Sequence, residues 1–258
     1  MADLTDAART LGSWVVDAYD LWWARGADHV NGGFHERLNQ DGSPTHEARR
    51  ARLHPRQMFA YSHAARLGWR GPSTTAVEHG LKFFLAHYRR SDGLFRALVS
   101  PQGQVFSDTV LLYDQAFALL GLAAAYATLE DETPRQVARE LHDLLRSRFA
   151  HRSIGFEETL ARDTPLSANS HMHLLEASLA WADLDQSSCW SDLATELVDL
   201  AATRMIDWRS GAVIETFGPD WQPVSGAVSS VEAGHQFEWA WLLLRCHARA
   251  ERKDLLQS

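Results

Sequence analysis

Most of the information about the fold lies in one stretch near the end of the sequence: Gly234-His235-Gln236-Phe237-Glu238-Trp239-Ala240-Trp241-Leu242-Leu243-Leu244-Arg245. Gly234 suits the end of a loop, because glycine adopts backbone conformations that other residues disfavour. Beyond it, helical spacing of i, i+3, i+4 and i+7 places four residues on one face: His235, Glu238, Trp239 and Leu242. A buried helix face normally carries aliphatic side chains. This one begins with an imidazole, a carboxylate and an indole, which predicts one wall of an active site.

Outside this stretch the sequence alternates predicted helices with loops. Apolar residues recur at helical spacing over seven further segments: 7–25, 49–67, 73–88, 111–129, 134–149, 169–184 and 191–205. Turn residues beside apolar residues predict a short strand over 31–42, a hairpin over 94–109 and a strand pair over 213–224. The segment 150–168 is predicted to be a long loop.

The even-numbered helices share a polar residue near their first turns: Arg56, Asp114, His171 and His235. These residues are separated by 58, 57 and 64 positions. A period of about 60 exceeds the roughly 34–47 residues of the small helical repeats. It favours a toroid of helical hairpins, in which alternate helices form an inner ring and their polar ends converge on a central pocket. The predicted fold class is therefore all-α, with residues 1–258 forming one domain.

Composition and charge narrow the possible partners. The formal net charge is −8 and the Lys and Arg residues are scattered, so we expect no nucleic-acid partner. No apolar run approaches the roughly 18–20 residues that span a bilayer, so we expect no membrane partner. The acidic N-terminus lacks a signal-peptide pattern, and Cys189 and Cys246 are expected to be reduced thiols. These features predict a cytoplasmic location.

Four segments carry a resemblance to a known family: Gly32-Gly33-Phe34 through Asp41-Gly42, Arg56-Gln57 with Tyr61, Asn169-Ser170-His171-Met172-His173-Leu174-Leu175-Glu176, and Glu232-Ala233-Gly234-His235-Gln236-Phe237-Glu238-Trp239. In these segments the chain resembles the N-acylglucosamine 2-epimerase superfamily, which includes bacterial mannose isomerases and cellobiose 2-epimerases. Family members usually carry Pro at the positions of Ser170 and Ala233. The resemblance implies an (α/α)6 barrel, which agrees with the predicted toroid.

The resemblance also implies that the chain is short for this fold. Six hairpins of about 60 residues need about 360 residues, whereas this chain has 258 and supplies four hairpins. The second catalytic histidine of the family lies on the last inner helix, beyond residue 258. We therefore expect a chain that lacks the C-terminal third, and an incomplete barrel with short β-hairpins in its rim loops. Its terminal helices should expose apolar faces, which favours instability or self-association into a homo-oligomer.

The family reaction moves the proton at carbon 2 of a sugar, next to its carbonyl. A base removes the C2 proton of the open-chain aldose and gives a cis-enediol(ate). Return of the proton to C1 gives the ketose, whereas return to the other face of C2 gives the epimer. Histidine suits the acid and base roles because it titrates near neutrality. The resemblance implies neither a metal nor an organic cofactor.

The resemblance also implies a role for individual residues. His235 is the catalytic acid/base, and His173 opens the sugar ring or polarises the substrate. Glu238 orients His235 or binds a hydroxyl, and Arg56 contacts the oxygen that gains negative charge. The remaining substrate-binding residues are Asn169, Tyr113 and Trp239.

Helical geometry separates two of the histidines. His171 and His173 are two positions apart, about 200° around a helix, so only one of them faces the pocket. The spacing i, i+4 from Asn169 favours His173. The same geometry argues against a zinc site formed by both rings. Trp239, taken singly, is more typical of a core residue than of a ligand contact.

The residues allow three kinds of function. The segment His54-Pro55-Arg56-Gln57-Met58-Phe59-Ala60-Tyr61 looks more like the bacterial isomerases, which favours aldose–ketose isomerisation of mannose or a similar hexose; N-acylglucosamine 2-epimerisation is the alternative. A glycoside hydrolase needs two carboxyls about 5–10 Å apart. Asp114 and Glu238 are candidates, but the histidine-rich motifs argue against a hydrolase. The third reading is an inactive remnant or a sugar-binding module.

Overall fold

The computed structural model describes residues 4–224 and 231–250. Within these ranges the chain forms eight α-helices: α1 Leu4–Leu21, α2 Leu53–Ala64, α3 Ser73–His87, α4 Leu112–Leu129, α5 Thr133–Leu144, α6 Ala168–Leu184, α7 Ser188–Leu200 and α8 Ala233–Ala250. Single π-helical segments continue α1, α5 and α7 over Trp22–Gly26, Leu145–Phe149 and Ala201–Met205. The eight predicted helices and the all-α fold class are confirmed.

Short strands lie in the loops between the helices. Three of them, β1 Arg49–Arg50, β2 Leu98–Val99 and β3 Val105–Ser107, form an antiparallel sheet in that order. The other four form two antiparallel pairs: β4 Leu166–Ser167 with β7 Thr216–Phe217, and β5 Ile206–Asp207 with β6 Ala212–Val213. The predicted hairpin over 94–109 is confirmed by β2 and β3.

One strand prediction is wrong, and another is met only in part. In the described chain, residues 31–42 form isolated bridges, such as Leu38 with Pro44, and no strand. In the segment 213–224, Phe217 forms an antiparallel bridge with Pro223, but the two strands of the segment pair with strands outside it. β6 pairs with β5, which precedes it, and β7 pairs with β4 at the entry to α6.

The chain divides into two compact units. One consists of Met1–Thr109 and Gly121–Ala138, and the other of Val110–Leu120 and Arg139–Ser258. The core of the first unit is rich in aromatic side chains, among them the stacked pair Phe84 and Phe95. The second unit contains the stacked, fully buried pair Trp181 and Trp190. The single-domain organisation stays a prediction.

Each of the four loops that follow the odd-numbered helices contains an equivalent backbone hydrogen bond. In each loop an N–H group donates to a carbonyl at the end of the preceding helical segment, at 2.7–3.0 Å: His35 to Gly26, Arg96 to Tyr88, Glu157 to Phe149 and Ile214 to Met205. Each loop also contains a glycine with positive φ, such as Gly155 at 76°, a conformation that other residues rarely adopt. The predicted repeat is therefore present in the geometry of the loops.

One helix departs from the expectation about apolar runs. By length and composition alone, α4 is apolar enough to cross a membrane. However, 72% of its apolar window is buried inside the structure. The fully buried side chains include Leu112, Ala116, Leu119 and Leu122. The apolar residues of α4 are therefore used for packing.

The first and the last described helices each have an exposed apolar face. On α1, Leu11 and Trp14 are 62% and 66% exposed, and the helix has no buried residue. On α8, three residues spaced i, i+4 and i+7 are 79%, 51% and 54% exposed: Phe237, Trp241 and Leu244. The opposite face of α8 is buried, so this helix is apolar on two sides. The exposed apolar faces expected for the terminal helices are confirmed.

We expect the exposed face of α8 to cause self-association. Replacing Phe237 and Trp241 by Ser removes two apolar side chains, each worth about 1.5–3 kcal/mol when buried. The dissociation constant of the associated form should therefore rise at least roughly tenfold, measured by sedimentation velocity over a concentration series. Trp208→Ser is the control, because Trp208 is 52% exposed but lies between β5 and β6. An equal effect of the control, or no effect of the double variant, would refute this.

Candidate functional site

In the second unit, the first two turns of α4, α6 and α8 carry polar residues singled out from the sequence. Tyr113 lies on α4, Asn169 and His173 lie on α6, and His235 lies on α8. Ser167 caps α6, since its Oγ accepts the Asn169 N–H at 3.2 Å. The β4–β7 pair joins the residues just before α6 to the segment that precedes α8. The fold therefore fixes where α6 begins relative to that segment.

His235 is held by a carboxylate from outside its helix. Its Nδ1 lies 3.1 Å from both carboxylate oxygens of Glu215, a buried residue between β6 and β7. A carboxylate only accepts hydrogen bonds, so the contact places a hydrogen on Nδ1 and leaves Nε2 able to accept a proton. The carboxyl of the exposed Glu232 lies 3.8 Å from Nε2, beyond hydrogen-bond distance. His235 thus has the tautomer that a general base needs.

His173 has a similar arrangement within α6. It is buried, and its Nδ1 lies 3.1 Å from Oε2 of Glu176, one turn along the same helix. The His173 ring meets Tyr113 edge-on at a centroid distance of 5.4 Å, and the Phe117 ring at 4.4 Å. The structure therefore brings together Tyr113 and His173, with an orienting carboxylate on the histidine.

Asn169 presents a polar atom that the described fold does not satisfy. Its Oδ1 is buried and has no hydrogen-bond partner among the described residues. A buried acceptor in this state costs about 1–3 kcal/mol. Asn169 shares a helix face with His173, four residues on. A ligand hydroxyl that donates to this oxygen would remove the cost.

His171 uses both ring nitrogens within the fold. It is fully buried; Nδ1 donates to the Ser167 carbonyl at 2.8 Å, and Nε2 accepts the Phe156 N–H at 3.1 Å. His54 makes the corresponding bond in the first unit, where its Nε2 accepts the Phe34 N–H at 3.2 Å. Burial lowers the pKa of His171 to about 4, and holds the pKa of His54 well below its ordinary value. His171 is therefore a structural residue, with no ring nitrogen available for a metal.

Glu158 lies beside His171, and burial shifts its pKa in the opposite direction, upwards. Its carboxyl group accepts the Ser167 N–H at 2.9 Å and the Ser170 hydroxyl at 2.5 Å, and lies 3.8 Å from His171 Nδ1. Burial raises the pKa of Glu158 from 4.5 to about 7. The folded state therefore retains a proton that the unfolded chain releases, and this group's contribution to stability falls as the pH rises through that range.

We expect Glu158→Gln to favour folding more at pH 8 than at pH 5. In the wild type, the buried carboxyl group destabilises the fold increasingly between pH 4.5 and about 7, by about 3 kcal/mol in total for a shift of this size. Glutamine does not titrate. Relative to the wild type, the unfolding free energy of the variant should therefore rise with pH by that order, measured by urea denaturation at several pH values.

His54→Gln is a control of opposite sign. His54 is neutral when folded, whereas the unfolded chain takes up a proton below the ordinary pKa of 6.5. The wild type therefore loses stability as the pH falls below 6.5, and the variant should gain relative to it. A pH-independent difference for Glu158→Gln, or a trend of the same sign as that of His54→Gln, would count against the buried carboxyl group.

The sequence profile of the N-acylglucosamine 2-epimerase (GlcNAc 2-epimerase) family matches residues 32–258. The chain belongs to this family. The resemblance carried by the four sequence segments is thereby confirmed. The match includes the loops and helix starts that hold His173, Glu215 and His235.

Two relatives and one solved structure align with most of this chain. A mannose-6-phosphate isomerase of Rhizobium meliloti (strain 1021) is 40% identical over 262 residues, which covers 99% of this chain and 67% of that relative. A D-mannose isomerase of Thermobifida fusca is 34% identical over 257 residues, covering 88% of this chain and 59% of the relative. A solved structure of a D-mannose isomerase matches with a TM-score of 0.85 at 21% identity, covering 99% of this chain and 68% of that one. This likeness confirms the fold of the (α/α)6 toroid family.

The structure also describes three other residues to which the family resemblance gives roles. Arg56 is exposed on the first turn of α2, in the first unit. Glu238 is half-buried and makes no hydrogen bond to any residue that the structure describes, so the orienting carboxylate at His235 is Glu215 instead. Trp239 is only 1% exposed. Its observed role is packing, and its role as a pocket wall stays a prediction.

Sequence reasoning missed both carboxylate partners. Glu176 lies inside a segment that matches the family, and its i, i+3 spacing from His173 is a signal that identifies it. Glu215 lies 20 residues before His235, too far for helical spacing to find. The repeat provides a signal for it, because Glu36 and Glu158 occupy the same place in two earlier loops.

Proposed function

We propose that this chain is a sugar isomerase or epimerase that moves the C2 proton of an aldose through a cis-enediol(ate). Within that class we propose aldose–ketose isomerisation of mannose or a similar unmodified hexose. The observation that carries the proposal is the His235 imidazole, held through Nδ1 by Glu215, in a chain of this family. General acid–base catalysis uses a histidine with one nitrogen held and the other available.

One histidine can both remove and return the proton. Neutral His235 takes the C2 proton through Nε2, and the C–H electron pair forms the C1–C2 double bond while O1 gains negative charge. The resulting imidazolium is stabilised by the Glu215 carboxylate. A proton then moves from O2 to O1, and His235 returns its proton to C1. The product is the ketose, and His235 is neutral again.

The other predicted residues bind and polarise the sugar in this proposal. His173, beside Tyr113, polarises the carbonyl oxygen or assists ring opening. The unsatisfied Oδ1 of Asn169 accepts a hydrogen bond from a sugar hydroxyl. Glu238 completes the proposed substrate contacts by binding a hydroxyl, and the role that the family resemblance implies for Arg56 stays a prediction. No metal or organic cofactor enters the proposal.

The names of the relatives support this substrate class. One is named a mannose-6-phosphate isomerase and another a D-mannose isomerase. The family name favours the alternative, 2-epimerisation of N-acylglucosamine. A hydrolase has less support, because Asp114, one of its candidate carboxyls, is completely buried in α4. A cytoplasmic location, without nucleic-acid or membrane partners, is proposed from composition alone.

Incubation of the 258-residue chain with mannose, mannose 6-phosphate and N-acetylglucosamine, followed by NMR of the products, tests the proposal. We expect mannose to be converted to fructose. Conversion of mannose 6-phosphate alone would replace the unmodified hexose by the phosphorylated one. Formation of N-acetylmannosamine with mannose unchanged would establish the alternative. A folded chain that turns over none of these sugars would favour the remnant or the sugar-binding module.

A further inference from the structure

Glu215 occupies a position that recurs in the loops of this fold. Glu36, Glu158 and Glu215 each lie two residues after an apolar residue that follows the turn of a loop: Phe34, Phe156 and Val213. Glu36 accepts the Arg50 N–H at 2.8 Å, and Glu158 accepts the Ser167 N–H at 2.9 Å. Both carboxylates thus bind the backbone just before an even-numbered helix, and connect the loop to that helix.

In the loop before α8, the Glu215 carboxylate binds a side chain. It meets the imidazole of His235, the third residue of α8. The Glu215 backbone is itself fixed, since its carbonyl accepts the Ala168 N–H at 3.0 Å at the start of α6. A position that elsewhere connects backbone segments is therefore used here to hold a titratable ring.

Gln236, the residue after His235, fixes the same loop from the helix side. Its Oε1 accepts the Val213 N–H at 2.7 Å, and its Nε2 donates to the Val213 carbonyl at 3.1 Å. These two bonds hold the end of β6, two residues before Glu215, on the first turn of α8. The geometry of the Glu215–His235 pair is therefore set by backbone contacts on both sides of Glu215.

We propose that Glu215 is the positioning residue for His235, which deepens the proposed function and rests on it. Glu215 selects the tautomer with hydrogen on Nδ1, fixes the ring plane, and stabilises the imidazolium that forms when Nε2 takes up the C2 proton. It acts through His235 and does not contact the sugar. The role that helical spacing assigns to Glu238 therefore belongs to a residue of the preceding loop.

Two variants distinguish the loss of the hydrogen-bond acceptor at residue 215 from the loss of its negative charge. Glu215→Met keeps a similar length without an oxygen acceptor, whereas Glu215→Gln keeps an uncharged oxygen that accepts the Nδ1 hydrogen. We expect Glu215→Met to lower kcat for sugar turnover on the order of 10²-fold, with KM little changed, and Glu215→Gln to lower it less. Long-range ¹H–¹⁵N spectra of His235 should show hydrogen on Nδ1 in the wild type and in Glu215→Gln, and mixed tautomers in Glu215→Met.

Glu232→Gln is the matched control. It removes a carboxyl group that lies 3.8 Å from Nε2 of His235, on a side chain that is 65% exposed. It should change neither kcat nor the His235 spectrum. Wild-type kcat in Glu215→Met, or hydrogen on Nε2 in the wild type, overturns the proposal. If Glu215→Met does not fold, unchanged kcat in Glu215→Gln overturns it. The spectra need no turnover, so an inactive wild type contradicts the proposed function while the tautomer still tests Glu215.

Discussion

Replacing His235 by glutamine should lower the rate of deuterium exchange at C2 of the sugar by roughly 10²–10⁴-fold, the contribution of one positioned acid–base group. The glutamine amide can still donate to Glu215, but it has no nitrogen that takes up a proton near neutral pH. The His235 side chain is 19% exposed, so its replacement should not leave a closed cavity. The exchange rate is measured by NMR of the sugar in D₂O.

His247→Gln is the matched control on the same helix. His247 lies about three turns further along α8 and outside the proposed site, so this variant should exchange at the wild-type rate. Thermal denaturation of both variants separates a loss of chemistry from a loss of folding. A folded His235→Gln that retained more than about a tenth of the wild-type rate would remove His235 from the role of base.

The second large effect is on stability, in His171→Leu. Leucine is apolar and of roughly similar size, but it leaves the buried Phe156 N–H without the partner it has in the wild type, whereas the Ser167 carbonyl keeps the first backbone hydrogen bond of α6. A buried donor left unpaired costs about 1–3 kcal/mol, so the free energy of unfolding should fall by about that amount. Typical domains have about 5–15 kcal/mol in total. Urea denaturation at neutral pH measures the loss.

His173→Leu, two residues later on the same helix, should have the opposite profile. The His173 ring bonds to a side chain, Glu176, that is 17% exposed, so its loss leaves no buried backbone group unpaired. We expect the free energy of unfolding to fall by less than in His171→Leu, and sugar turnover to fall by at least roughly 10²-fold. If the two variants lost equal stability, the structural assignment of His171 would be wrong.

The helices could be predicted because their periodicity is local information. Apolar residues spaced for one buried face gave 111–129 and 169–184, and the structure has α4 over Leu112–Leu129 and α6 over Ala168–Leu184. The angle between successive residues likewise separated His171 from His173 without any knowledge of tertiary contacts. Both results follow from the geometry of a single helix.

The carboxylate partner of His235 and the strand pairs could not be predicted in this way, because they depend on residues far apart in the chain. A helical rule points from His235 to Glu238, one turn away, whereas the structure uses Glu215, 20 residues earlier. Similarly, β7 pairs with β4, although α6 and α7 lie between them in the sequence. The conformation of the loops determines both the Glu215–His235 contact and the β4–β7 pairing. In the sequence, only the repeat indicates that conformation.

The most direct test of the proposed chemistry is deuterium uptake at C2 when the 258-residue chain is incubated with mannose in D₂O. We predict deuterium at C2 of the recovered sugar, whether or not ketose accumulates, at a rate that falls in Glu215→Met and falls further in His235→Gln. A folded wild-type chain that takes up no deuterium at C2, or uptake that is unchanged in His235→Gln, would contradict the account.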